Sequence, residues 1–181
     1  TSGLTIYGAA DSKAQSYAKS KEYKFVPLQV IGTVSGDGGD APVSITITGA
    51  DGEMTEIKSA DGNYQLEKLD PGTYTIALTK EGCVPYRSTV TVDESGKANT
   101  VDVVLVARGN INGAAVNGEA VEITDVACLY EMLTTGECQS KIADPEYLEA
   151  VADVNSDGTV DVYDLQRLYE TVSRLRDAAE D

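Results

Sequence analysis

Asp153-Val154-Asn155-Ser156-Asp157-Gly158-Thr159-Val160-Asp161-Val162-Tyr163-Asp164 is the stretch that decides how the C-terminal half of this chain is read. Oxygen-bearing side chains stand at positions 1, 3, 5, 9 and 12 of these twelve residues, and glycine stands at position 6. With that spacing a 12-residue loop wraps Ca²⁺. Asp153, Asn155 and Asp157 are expected to donate side-chain oxygens and Thr159 its backbone carbonyl. Asp161 acts directly or through water, and Asp164 closes the shell with both oxygens. Gly158 permits the sharp turn that a side chain would hinder. Four carboxylates packed into one loop repel each other, and a divalent cation removes that penalty. Mg²⁺ suits the loop less well, because it demands a tight octahedron and keeps its waters.

The loop runs into a helical pattern, and the unit occurs twice. Val121–Leu133 and Val160–Val172 align without a gap at an offset of 39, Leu129-Tyr130-Glu131 falling on Leu168-Tyr169-Glu170. Ile123, Val126, Leu129, Tyr130 and Leu133 recur at helical spacing, as do Val162, Leu165, Leu168, Tyr169 and Val172. A shorter helix is expected over Pro145–Ala152, with Asp144 as N-cap and the proline at its first position. The first loop is degenerate. Asn110 and Asn112 fit positions 1 and 3 from its front, Glu122 and Asp125 fit 9 and 12 from its back, and 16 residues span Asn110 to Asp125. An insertion around Gly113–Asn117 accounts for the excess. Neutral asparagines at the front imply weaker cation binding there than at the second loop.

Upstream of residue 108 the period changes. Val43–Thr48 alternates apolar and polar residues, and Tyr64–Leu66, Tyr74–Leu78 and Val90–Val92 do likewise. Val101–Val106 is more continuously apolar and is expected to be a central strand. Turn signals separate these runs: Gly36–Gly39, Asp51-Gly52, Asp61-Gly62-Asn63 and Asp70-Pro71-Gly72. The pattern predicts an antiparallel β-sandwich over residues 25–107, followed by an all-α module with two Ca²⁺-binding loop-helix repeats over 108–181. Residues 1–24 read as a linker or lead-in, with a short helix over Asp11–Lys21.

Composition narrows the chemistry. The 181 residues include no histidine, which excludes Ser-His-Asp and Cys-His catalysis and histidine metal sites. Tryptophan is absent and phenylalanine occurs once, which weakens a sugar- or base-stacking surface. A net charge of −16 repels phosphate backbones and anionic lipid, so no nucleic acid and no membrane partner is expected. The start at Thr1 suggests a fragment of something longer. Cys83, Cys128 and Cys138 lack metal-ligand spacing; buried thiols are the preferred reading, a Cys128–Cys138 bridge the alternative.

The stretch Asp153–Val172 resembles the calcium-binding repeat of dockerins, a relative of the EF-hand loop that carries Asp at position 12 and lacks the preceding helix. The duplicated loop-helix unit, joined by a short helix, is similar to a dockerin over about 108–176. Upstream, Asp61-Gly62-Asn63-Tyr64, Pro71-Gly72-Thr73-Tyr74 and Gly82 with Tyr86 resemble Cna B-type and carboxypeptidase-regulatory-like sandwiches. The combination resembles the X-module–dockerin unit of cellulosomal scaffoldins. The resemblance implies two Ca²⁺ sites and a cohesin partner. It also implies contacts from loop positions 10 and 11 and the following helix face. Those positions are Ile123, Thr124, Ala127, Cys128, Glu131 and Thr135 in the first repeat. In the second they are Val162, Tyr163, Gln166, Arg167, Tyr169, Glu170 and Arg174. The mismatch between the repeats implies one binding mode, or both helices engaging together.

The leading reading is therefore a non-catalytic, secreted or cell-surface assembly module: a monomer that forms a heterodimer with a cohesin. A carbohydrate-binding or adhesin module is the alternative, and an enzyme is not expected.

Overall fold

The computed structural model of the chain describes residues 3–38, 41–93, 99–114 and 120–179. The chain divides into two compact units. One comprises Thr1–Ser35, Asp40–Lys80 and Pro85–Val103; the other comprises Gly36–Gly39, Glu81–Val84 and Val104–Asp181.

The first unit opens with strand β1 (Thr5–Gly8), helix α1 (Lys13–Ser20) and strand β2 (Lys24–Pro27). β1 and β2 pair in parallel, Ile6 opposite Phe25, with α1 as their crossover. Residues 3–24 thus carry the short helix expected within 11–21, and Thr5–Gly8 before it is a paired strand rather than linker. Ser12 caps α1 by accepting from the Gln15 amide at 3.3 Å, and Ala18 is fully buried.

The sandwich follows. Its strands are β3 (Gln29–Gly36), β4 (Val43–Thr48), β5 (Met54–Ser59), β6 (Asn63–Glu67), β7 (Gly72–Thr79), β8 (Tyr86–Val92), β9 (Asn99–Thr100) and β10 (Val103–Leu105). One four-stranded sheet is ordered β5-β4-β7-β8; the other runs β10-β3-β6, with β9 pairing β3. Strict alternation in β4 buries Val43, Ile45 and Ile47, and register places Ile45 opposite Leu78 and Ile47 opposite Ile76 on β7. All four of these β4–β7 partners are buried, so this face is the centre of the first sheet's core. Val30, Val34, Tyr64 and Leu66 fill the inner face of the second sheet. Gly32 is required there, because a Cβ at that position would overlap the Val101 carbonyl that accepts from the Tyr64 hydroxyl. Two expectations change. The run at 101–106 yields only β10, at the end of its sheet's strand order rather than the centre, with Val104 exposed. The sandwich is also not wholly antiparallel, since β9 pairs β3 in parallel.

The second unit holds helices α2 (Ile123–Thr135), α3 (Pro145–Ala152) and α4 (Val162–Ala179). Asp144 caps α3 by accepting from the Glu146 and Tyr147 amides at 3.0 and 3.2 Å, and proline follows it as expected. Leu129 and Leu168, equivalent in the repeat, are fully buried together with Ile111, Val106 and Val151. Tyr147 is buried too; its hydroxyl donates to the Val84 carbonyl at 2.9 Å and accepts from the Val106 amide at 3.1 Å. The helical unit therefore does not begin at residue 108 but incorporates three short upstream segments. Cys128 and Cys138 form a disulfide, their Cα atoms 5.2 Å apart, and Cys83 lies outside it, opposite Ala107 in a β-bridge. Buried thiols, the reading preferred from spacing alone, are overturned for this pair. Cα proximity, which sequence spacing does not reveal, is what permits the bond.

Candidate functional site

The second acidic loop is curled by its own backbone. Ser156 and Gly158 have φ of 64° and 87°, the left-handed conformation that makes glycine the least costly residue at position 6. Asp153 accepts from the Asp157 and Gly158 amides, both at 3.1 Å. Asp164 is fully buried at the start of α4, and its two oxygens accept from the Asn155 amide at 3.0 Å and the Asp161 amide at 2.9 Å. Asn155 Oδ1 accepts from the Asp157 amide at 2.8 Å, and Asp161 Oδ1 from the Tyr163 amide at 2.8 Å. The Thr159 hydroxyl and amide, then the Asn155 side chain, hold the Asp157 carboxyl below its usual range. Each carboxylate oxygen carries two lone pairs, so one engaged by an amide still has one to offer a cation.

The first loop repeats this wiring. Asp125 is fully buried, and its oxygens accept from the Asn112 amide at 2.9 Å and the Glu122 amide at 2.8 Å. Asn112 Oδ1 accepts from the Ala114 amide at 2.7 Å, as Asn155 Oδ1 does from Asp157. Asn112 thus corresponds to Asn155, Glu122 to Asp161 and Asp125 to Asp164, which is the register expected when each end of the loop is read separately. Most of the segment expected to carry the insertion lies outside the described residues. Burial pushes the Asp125 carboxyl up, against amide hydrogen bonds that pull it down.

The donor set suits a hard cation. All the candidate ligands are oxygens, as Ca²⁺ requires. Among the described residues, the buried side-chain oxygens without a hydrogen-bond partner are Asn110 Oδ1 and Glu122 Oε1, at positions 1 and 9 of the first loop. An unpaired buried oxygen carries a desolvation cost that a cation would remove. Among the described residues no three His, Cys, Asp or Glu side chains converge as a ready cluster. The loops offer their carboxylates one at a time, interleaved with amide, hydroxyl and carbonyl oxygens.

Between α2 and α4 lies an apolar groove of about 520 Å³. α2 contributes Ile123, Val126, Ala127 and Tyr130; α4 contributes Val162, Leu165, Gln166 and Tyr169. These are four equivalent pairs at the repeat offset of 39. Ile123, Tyr130, Val162 and Tyr169 are 57–63% exposed, whereas Leu129 and Leu168 are at 0%. Each helix therefore bears two apolar stripes, one in the core and one facing water. Contiguous exposed apolar surface of this kind is uncommon on a domain that binds nothing.

Residues 29–106 match the family model of the carboxypeptidase regulatory-like domain. The match ends four residues before Asn110, so it covers neither acidic loop. The TonB-dependent transporter Oar of Myxococcus xanthus is 32% identical over 84 residues, which are 46% of this chain and 7% of that protein's length. Two solved structures of type II cohesin–X-dockerin complexes from Acetivibrio cellulolyticus, a C-terminal and an N-terminal interface mutant, are also similar. They have TM-scores of 0.35 and 0.34 and identities of 16% and 15%, each over 79% of this chain and 94% of theirs.

Outside residues 29–106, the expected contact residues separate into groups. Ile123, Ala127, Val162, Gln166 and Tyr169 line the groove. Tyr163, Arg167 and Glu170 line a more polar depression with Asn155 and Gln166. Thr124 faces the first loop, its hydroxyl accepting from Asn112 Nδ2 at 2.9 Å. Glu131 is exposed on α2, Thr135 turns its hydroxyl back to the Glu131 carbonyl, and Arg174 donates to the Glu170 carbonyl at 3.2 Å. Cys128 is buried and disulfide-bonded, hence no contact residue. Val126, Tyr130 and Leu165 escaped the sequence reading, because helical spacing assigned them to the core stripe. Their pairing with Leu165, Tyr169 and Val126 across the repeat was the available signal.

Proposed function

We propose that this chain is a non-catalytic, calcium-dependent assembly module, with a dockerin-type helical unit that seats a cohesin and the regulatory-like sandwich as its X-module. The observation that carries the reading is the groove. Both repeats contribute the same four positions to one water-facing apolar surface, which a protein needing only to fold would bury. Calcium would be held by Asp153, Asn155, Asp157, Thr159, Asp161 and Asp164 in the second loop. Asn110, Asn112, Glu122 and Asp125 would hold it in the first, more weakly. The bound cation supplies charge neutralisation and nothing catalytic. The residues do the rest: Asp125 and Asp164, in the first turns of α2 and α4, tie each loop to the helix that follows it. The Cys128–Cys138 bridge supports a secreted or cell-surface setting, where disulfides persist.

Calorimetric titration of the full chain with a type II cohesin domain tests the reading. Binding is expected in calcium and lost in EDTA. A cohesin that fails to bind in calcium, or binds equally well in EDTA, overturns it.

A further inference from the structure

Asn110 is the odd residue of the first loop. It occupies position 1, where the second loop has Asp153, and it is 1% exposed. An amide presents an acceptor at one end and a donor at the other, so it serves a cation only if something holds its donor end away. That something is Asp37, in the turn after β3. Asp37 Oδ2 accepts from Asn110 Nδ2 at 2.8 Å and from the Ala107 amide at 2.7 Å. The Asp37 amide in turn donates to the Leu105 carbonyl at 2.8 Å, which fixes the carboxylate from its own backbone. The consequence is visible at the other end of the amide, where Asn110 Oδ1 is buried with no partner among the described residues.

We infer that Asp37 is a positioning residue for the first cation loop: it clamps the Asn110 amide by its NH₂ group and so dedicates Oδ1 to the metal. The inference rests on the calcium reading of the first loop. Asp37 touches no ion itself. Its carboxylate orients the ligand and, by accepting from the amide nitrogen, makes the amide oxygen a better donor. Partners of this kind behind metal ligands are generally worth 10–100-fold in affinity. The second loop needs no equivalent, because Asp153 is an acceptor at both oxygens. The clamp thus lies 73 residues upstream of its ligand, outside any segment that loop spacing would search.

The test is a calcium titration of the full chain by two-dimensional NMR, with the Gly113 and Gly158 amides reporting the first and second loops separately. Asp37→Ala is expected to weaken the first site about 10–100-fold and leave the second within about twofold. Asp37→Asn, which still offers an acceptor oxygen, is expected to retain most first-site affinity. Equal weakening of both sites means Asp37 merely supports the fold, and an unchanged first site means it does nothing for the metal; either overturns the inference. Should Asp37→Ala fail to fold, the exchange decides. Asn110→Asp alone faces Asp37 with a second carboxylate and weakens the first site, whereas Asn110→Asp with Asp37→Asn restores it. If the single change binds more tightly than the exchange, the clamp is overturned. A wild-type chain that titrates only at Gly158 also sinks it, while leaving cohesin binding to be judged by its own titration.

Discussion

Leu168 and Tyr169 are neighbours on α4 and should respond to truncation in opposite ways. Leu168 is fully buried, and removing such a side chain to alanine costs about 3–5 kcal/mol, the lost transfer energy plus the cavity left behind. For a unit of this size that is a fall in melting temperature of roughly 12–40 °C. Tyr169 is 57% exposed, so its truncation should alter folding by no more than about 0.5 kcal/mol. On the proposed reading its weight lies in binding. An aromatic side chain buries ~200 Å², and sealing the exposed part of Tyr169 under a partner at about 25 cal/mol per Å² contributes up to about 3 kcal/mol. Tyr169→Ala should therefore weaken cohesin binding at least about 30-fold, the usual cost of losing an aromatic anchor. Thermal melts followed at 222 nm in calcium, paired with calorimetry against the cohesin, give both quantities. If Tyr169→Ala melts as low as Leu168→Ala, the groove is core and the two-stripe argument fails. Unchanged cohesin affinity would place docking elsewhere.

Chelation with EDTA should destabilise the helical unit while leaving the sandwich's transition in place, and Asp164→Ala should do the same. Calcium at 1,000 times its dissociation constant adds about 4 kcal/mol, read as two separate thermal transitions. Reduction of Cys128–Cys138 should lower the helical unit's stability by about 2–3 kcal/mol, measured in parallel denaturant melts with and without dithiothreitol. The Tyr64 hydroxyl is pushed up to about 12, by burial first and then by the charges of Asp102 and Tyr86. The folded chain thus holds this proton more tightly than the unfolded one. The contribution is complete below pH 10 and lost between pH 10 and about 12. Tyr64→Phe should flatten the stability profile in that window, and a slope that persists there would assign it to another group.

Where local chemistry alone makes an element, the sequence displayed it. α3 begins where Asp144-Pro145 begins it, and β4 occupies the alternating run Val43–Thr48. Elements that depend on distant partners were hidden. β5 has little alternation and mostly exposed side chains, and it is a strand because Met54–Ser59 pairs along the whole of β4. β1 and β2 are strands only through each other, across α1. The curled acidic loops were legible because the residues that shape them are local, whereas Asp37 was not, because its partner lies 73 residues away. The groove stood between these cases. Apolar periodicity finds Val126, Tyr130 and Leu165 but does not say whether protein or partner will cover them.

Asp125 and Asp164 each tie two amides on opposite sides of a loop, at Asn112 and Glu122 and at Asn155 and Asp161. Those tied points are ten residues apart in the first loop and six in the second. One buried carboxylate thus sets the span while the length between its anchors is free to vary. Doubling a closed loop costs only about 0.6 kcal/mol. The first repeat is accordingly the place to test a graft: an epitope or a fluorophore-bearing peptide spliced between Ala114 and Ala120 should leave the Asn112 and Glu122 amides on Asp125.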